Sequence, residues 1–375
     1  MSITKRPDVS VVTTGHDVAD ARLHREVAAL RRAGLTVEVH GLGDPSTGPT
    51  GAMVRAASRK GMLIRGLRAI TWPWRASGRV LLTIDPDTVP SAIIAARLRR
   101  RLLVCDVHED YLSLLTDRSW LHWPMGPAIR MLTRLVVGLA SRADLTVVAD
   151  HHVPPAQTLC CERLVVRNLP DLMMLRAASA GSAEQSPLRA VYVGDLRRSR
   201  GGREVVEAVA SAPGWVLDLV GPAPAEEAAW LEQRLSRPDV QGRIRWHGRQ
   251  PPEQAWKVAH GAHVGFSLLA DTPAFRAAMP TKVYEYLASG LAVITSPLPR
   301  VAELVTGAGA GWVVEDSAAT DQLLRDLTIN RALLDDRMRG AARWSAAHDV
   351  TTSDYDVLAS RALALAERGT ACTAP

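Results

Sequence analysis

A chain of 375 residues, 47% hydrophobic and 22% charged, is globular in composition and long enough for two domains. Its net charge of +6, carried almost entirely by arginine, fits an anionic ligand or surface. It has no apolar run of membrane-spanning length, no hydrophobic signal core in Met1–Asp8 and no metal-type spacing of Cys105, Cys160, Cys161 and Cys372, so a reduced, cytoplasmic protein is expected.

Short β-type runs alternate with helical stretches. The first half gives strands at Val9–Thr14, Leu35–Gly41, Val80–Asp85, Leu102–His108, Leu145–Ala149 and Leu164–Arg167, with a helix at Ala21–Arg32. The run Arg176–Pro187 is small, polar and punctuated by Gly and Pro, as a linker should be. The second half gives strands at Ala190–Val193, Val216–Val220, Ile244–His247, Val264–Leu268, Ala292–Thr295 and Trp312–Val314. Helix candidates there are Arg203–Ala210, Glu226–Leu235 and Pro252–His260. The alternation predicts an α/β protein of two Rossmann-like domains with doubly wound parallel sheets. The expected boundaries are 1–175, a linker at 176–187, 188–345, and a helix and tail at 346–375, the helix over Asp354–Arg368 and Gly369–Pro375 disordered.

Several segments carry chemistry. After the first strand, Gly15 lets the loop bend, and Asp20, Arg22 and Glu26 are expected to brace loop and helix by ion pairs. Arg59–Arg79 mixes Met62, Leu63, Ile64, Leu67, Ile70, Trp72 and Trp74 with basic residues. It reads as an anionic-membrane or acceptor contact, or as a half-buried helix. Asp85-Pro86-Asp87, a pattern also seen at metal sites, is read as a strand-end turn. Leu103–Asp110 ends a hydrophobic strand in His108 and Glu109, at the end of a parallel strand where ligands sit; a strand-end cap is the plain alternative.

Val191–Gly202 is a strand, a turn at Gly194, then Arg197, Arg198 and Arg200 before a helix. Glycines and guanidinium groups at a helix start suit phosphate oxygens. Pro280–Gly290 reads as a short helix with Pro at its start and Gly at its exit. Val283, Tyr284, Leu287 and Ala288 form its core stripe, and Lys282, Glu285 and Ser289 form another. Lys282 is one of only four lysines, and it sits in a first turn where the macrodipole disfavours a cation by ~0.3–1 kcal/mol. An external anion would reverse that sign and leave Glu285 to accept ribose hydroxyls. The plain alternative is an exposed Lys–Glu pair.

Pro280–Ser296 resembles the donor-nucleotide motif of family-4-type glycosyltransferases, which are retaining enzymes of the GT-B fold, in the form Pro-(Asn/Thr)-Lys-x-x-Glu-Tyr-x-Ala-x-Gly. Gly194–Gly202 resembles the family's diphosphate loop, with Arg200 at its lysine. Asp195 stands where arginine is usual, so Arg197 or Arg198 would substitute. Leu103–Asp110 resembles the Asp-x-His-Glu motif, and Thr13–Glu26 the opening of the same branch. Ala277 stands where the wider family often carries a second glutamate.

The resemblance implies an interdomain cleft, an acceptor-side first domain, a donor-side second domain and a C-terminal helix that crosses back. It places Gly15, Gly194, Arg197, Arg198, Arg200, Lys282 and Glu285 at the donor, with Glu285 on the ribose. His108 would lie at the sugar, and His108, Arg200 and Lys282 would be the catalytic group. His16, Asp17 and Glu109 would lie on the acceptor side. The implied reaction moves a sugar from a nucleoside-diphosphate sugar, UDP first, to a hydroxyl of a natural-product or cell-envelope acceptor. The nucleotide sugar is the only co-substrate implied, with no cofactor, metal or nucleic acid. Peripheral membrane contact is compatible with it, and oligomeric state stays open. Two alternatives remain: a sugar-nucleotide 2-epimerase of similar fold, and a catalytically weak nucleotide-sugar-binding subunit.

Overall fold

Residues 6–58, 61–116, 126–170, 175, 187–348 and 353–371 are described in the computed structural model. They form two compact units: Met1–Asn168 with Thr352–Pro375, and Leu169–Thr351. The expected linker at 176–187 lies outside the described residues except for Pro187, as do Arg59, Lys60 and the last four residues.

The first unit holds seven parallel strands: β1 Val9–Asp17, β2 Val37–Leu42, β3 Met53–Ala57, β4 Val80–Thr83, β5 Leu102–Val107, β6 Leu145–Val148 and β7 Arg163–Val165. Their order is β3-β2-β1-β4-β5-β6-β7. Both faces are covered, so the inner strands read as unbroken apolar runs; Leu81, Leu82, Val104 and Val147 are fully or almost fully inaccessible to solvent. The edge strand β3 was absent from the sequence expectation. Its Met53 is exposed and its pattern lacks apolar alternation, so nothing local marks it.

The C-terminal helix Asp354–Ala371 belongs to this unit and runs three residues further than expected. Tyr355, Leu358, Ala362 and Leu365 enter the core with Leu23, Val27 and Leu30 of helix Ala21–Arg32. Asp354 accepts hydrogen bonds from the Arg167 backbone N–H and guanidinium, which fixes the helix start.

The second unit holds six parallel strands: β8 Leu188–Val193, β9 Trp215–Val220, β10 Ile244–Trp246, β11 Val264–Ser267, β12 Ala292–Thr295 and β13 Gly311–Val313. Their order is β10-β9-β8-β11-β12-β13. In both sheets strand order reverses beside the first strand of the unit, between β1 and β4 and between β8 and β11. Ligands of open parallel sheets bind outside the strand C-termini at such a reversal. Two places follow from topology alone: the loop after β1 with that after β4, and the loop after β8 with that after β11.

Candidate functional site

In the second unit the switch-point loop runs from Gly194 to Gly202. Gly194 has φ +138°, and Gly221, at the end of neighbouring β9, has φ +149°. A Cβ on Gly221 would lie 1.8 Å from the Gly194 carbonyl oxygen, so the two strand ends approach as only glycine allows. Gly221→Ala should therefore cost about 3 kcal/mol or more in chemical denaturation and displace the Gly194 turn. Unchanged stability would show that the turn relaxes freely. Gly201 (φ +75°) serves the same end, because a Cβ there would meet the Leu268 carbonyl at 2.1 Å.

Helix Thr281–Ala288 faces this loop. Its N-terminus follows Pro280, which is extended rather than helical, and no side chain caps it; Gly290 exits at φ +73°. The Tyr286 hydroxyl accepts from the Val193 N–H and donates to the Phe266 carbonyl, tying the helix to β8 and β11. Lys282 is only 6% exposed. Its Nζ lies 3.7 Å from the Tyr192 ring centroid and has no hydrogen-bond partner among the described residues. The Tyr192 hydroxyl donates to the Asp195 and Arg200 carbonyls, so one ring floors the lysine and pins the loop. Burial, then the Arg200 charge, hold the Lys282 ammonium well below the usual lysine range against Glu285 and Asp195. A buried ammonium with a ring for company and no carbonyl or carboxylate bonded to it is a costly arrangement that an anion would relieve.

Glu285 is buried on the same helix, one turn on. Arg200 packs over Phe275. Arg197 pairs with Asp195 at 2.5 Å on the exposed side, and Arg198 is exposed, so neither is held against Lys282. Nothing in the local sequence assigns a role to Tyr192, Gly221 or Glu204. Glu204 has one buried carboxylate oxygen without a partner among the described residues, and its charge adds to burial and to Asp195 in raising the Tyr192 phenol. In sequence it looks like an ordinary acidic residue in the first turn of helix Gly202–Ala210.

In the first unit the switch-point residues gather on Asp85. Its carboxylate accepts from Thr13 Oγ1 at 2.5 Å, Thr14 N at 2.7 Å and Gly15 N at 2.9 Å, and meets His16 Nδ1 at 3.1 Å. A Cβ on Gly15 would lie 2.6 Å from Asp85 Oδ1, so close approach of the carboxylate is what requires glycine there. Burial would pull His16 down, but the Asp85 hydrogen bond and charge outweigh it and raise its pKa to about 9. Asp85 is held well below the usual carboxylate range despite its burial. Asp87 accepts from Thr14 and Arg65, so Asp85-Pro86-Asp87 anchors two loops, a larger part than the expected strand-end turn. The described residues contain no group of three or more metal-ligand side chains.

His108 follows β5 and stands edge-on to His16, ring centroids 4.8 Å apart, with Tyr111 edge-on at 5.9 Å. Burial and the His16 charge lower its pKa. His108 Nδ1 and the Tyr111 hydroxyl are both buried without a partner among the described residues. Glu109 is exposed. Asp17 accepts from Ala19 N and lies against Gly43, braced into its own loop. Asp20 caps helix Ala21–Arg32, and Arg22 binds Asp106 in a two-point ion pair with Glu26 3.2 Å away. Burial and the Asp106 charge raise Glu26 well above the usual range.

Two Rossmann-like units, each with polar side chains at its switch point, define the GT-B fold. Residues 178–347 match the family described as glycosyl transferases group 1. Comparison with curated proteins gives no match. Among solved structures, sucrose-phosphate synthase from Thermosynechococcus elongatus is 15% identical, with a TM-score of 0.62 over 98% of this chain and 100% of that one. Anabaena HepE in complex with UDP and glucose is 15% identical, TM-score 0.58, over 98% and 99%. The α,α-trehalose 6-phosphate synthase from Burkholderia multivorans is 14% identical, TM-score 0.59, over 98% and 100%. At such identities the likeness establishes the GT-B fold, and the similarity to glycosyl transferases group 1 is carried by residues 178–347.

Proposed function

We propose that the chain is a retaining glycosyltransferase of the family 4 type that moves a sugar from a nucleoside-diphosphate sugar, UDP-linked first, to an acceptor hydroxyl. The observation that carries the reading is the buried Lys282 ammonium, without a hydrogen-bond partner among the described residues, at the start of helix Thr281–Ala288 and beside the Gly194 turn. A diphosphate there would meet the ammonium, the Arg200 charge and a helix N-terminus together. Glu285 would hold the ribose hydroxyls.

In this reading Lys282 and Arg200 stabilise charge as the bond from the anomeric carbon to the diphosphate breaks. The acceptor oxygen bonds to the same face of that carbon, and its proton passes to the departing phosphate oxygen. His108 orients sugar hydroxyls through its unpartnered Nδ1, while His16, cationic at neutral pH, and Glu109 serve the acceptor. That HepE was crystallised with UDP and glucose supports UDP as the first donor to try.

Helix Met62–Arg75 supports a lipid-linked acceptor, because Leu63, Leu67 and Ile70 line its solvent face. No helix among the described residues is long and apolar enough to cross a membrane, so any such contact would be peripheral.

Calorimetry with UDP, GDP, ADP and dTDP tests the reading. One nucleotide should bind, and Glu285→Ala should weaken it about tenfold, or 1.4 kcal/mol. Failure of all four to bind would sink the donor assignment.

A further inference from the structure

A cavity of about 690 Å³ opens in the first unit, lined by Arg6, Arg55, Arg75, Arg99 and Arg101 with Met53, Ala76 and Ser77 among the remainder. It lies at the opposite end of the sheet from His16, Asp85 and His108. Arg6 precedes β1, Arg75 and Ser77 precede β4, and Arg99 and Arg101 precede β5, and every strand of this sheet is parallel. It therefore has no part in the switch-point chemistry.

Each arginine taken singly has an ordinary explanation. Arg75 and Arg99 sit at helix C-termini, where a cation complements the macrodipole. Their convergence does not, because most of the charges are held by neutral partners. Arg6 donates to the Ser77 and Gly78 carbonyls. Arg101 donates to the Ala76 carbonyl, and its buried Nε has no partner among the described residues. Arg99 lies over the Trp74 ring.

Glu38 lies 3.6 Å from Arg55 but already accepts from Ser10, Ser77 and His40. Among the described residues no carboxylate pairs with Arg6, Arg75, Arg99 or Arg101. Burial, then Arg99 and Arg6, pull Arg101 down to about 10. Like charges gathered around a hollow repel unless something negative enters it. Guanidinium groups match phosphate oxygens in geometry as well as charge.

We propose that this arginine-lined cavity binds a phosphate group, carried either by a soluble phosphorylated molecule or by a phospholipid head group.

The test titrates inorganic phosphate and pyrophosphate into the full-length protein carrying Lys282→Met, so that the cationic site of the second unit does not contribute. A second arm measures sedimentation with phosphatidylcholine vesicles that contain phosphatidic acid, against phosphatidylcholine alone. Binding in either arm should fall at least tenfold when Arg75→Ala and Arg99→Ala are combined, both being exposed side chains whose loss leaves the core intact. Arg101→Met, which keeps the packing volume, should weaken it as well. Saturable binding of the soluble anions without vesicle binding identifies a soluble ligand, and the reverse identifies a head group. No binding in either arm at millimolar phosphate or accessible lipid, or binding indifferent to all three arginines, overturns the proposal.

Discussion

Lys282→Met is expected to weaken nucleoside-diphosphate binding at least tenfold, about 1.4 kcal/mol, while leaving the empty protein as stable as before or more so. The two effects have opposite signs because the ammonium is badly placed without a ligand. It is buried and its Nζ has no hydrogen-bond partner among the described residues. The Tyr192 face returns about 2 kcal/mol, against a desolvation cost of several kcal/mol per ion. Methionine fills the same volume without the charge.

The lysine's pKa is lowered in the folded chain, so the folded state holds fewer protons than the unfolded one. Wild-type stability should then rise as pH climbs from the depressed value towards the usual 10.5, and the Met variant should lose that slope. Diphosphate binding restores the proton, so calorimetry in buffers of different ionisation enthalpy should register proton uptake at pH values above the depressed pKa. Equal losses of stability and affinity in the Met variant would make Lys282 a structural prop and remove the main support for the donor site.

What could be read in the sequence depended on whether the signal was local. A lysine out of character with its own composition in a helix between Pro280 and Gly290, and a strand ending in glycine and arginines at Val191–Gly202, are each contained within a dozen residues, and they locate the second unit's loop and helix. Tyr192 did not stand out, because its role comes from helix Thr281–Ala288 crossing over β8 some ninety residues later. Gly221 was invisible for the same reason: its need for glycine arises from the Gly194 carbonyl of the adjacent strand.

Asp85-Pro86-Asp87 was seen as a pattern, but its bonds to Thr13, Thr14 and Gly15 exist only once β1 and β4 pair. The arginine cavity draws on four segments far apart in sequence, so no single stretch of the chain marks it. Doubly wound topology, in contrast, was legible because buried parallel strands are apolar throughout and alternate with helices. Among the described residues, only the exposed edge strand β3 lacks that signature.

Asp85→Asn should destabilise the first unit by about 3 kcal/mol and remove a pH dependence that the wild type carries. Asp85 is 3% exposed and receives three donors besides His16. The amide keeps one acceptor oxygen and turns a donor towards groups that are themselves donors. Asp85 has a depressed pKa, so its contribution is present above the unfolded value near 3.8 and lost as pH falls through the lower folded value. His16 rises from 6.5 to about 9, so its contribution is complete below 6.5 and disappears as pH rises to about 9. The pair therefore supports the first unit most between about pH 4 and 6.5. The alkaline loss is at most about 3 kcal/mol for a shift of this size, and the partial exposure of His16 reduces it. Denaturant titrations at pH 6 and pH 9.5 in the Lys282→Met background, which lacks the opposing slope of the lysine, should show that decline, and a much smaller one when Asp85→Asn or His16→Gln is added. Equal pH slopes in all three proteins would mean that the imidazolium–carboxylate pair does not hold the loop, and the first unit's switch point would have to be organised by the hydrogen bonds that Thr13, Thr14 and Gly15 donate to Asp85.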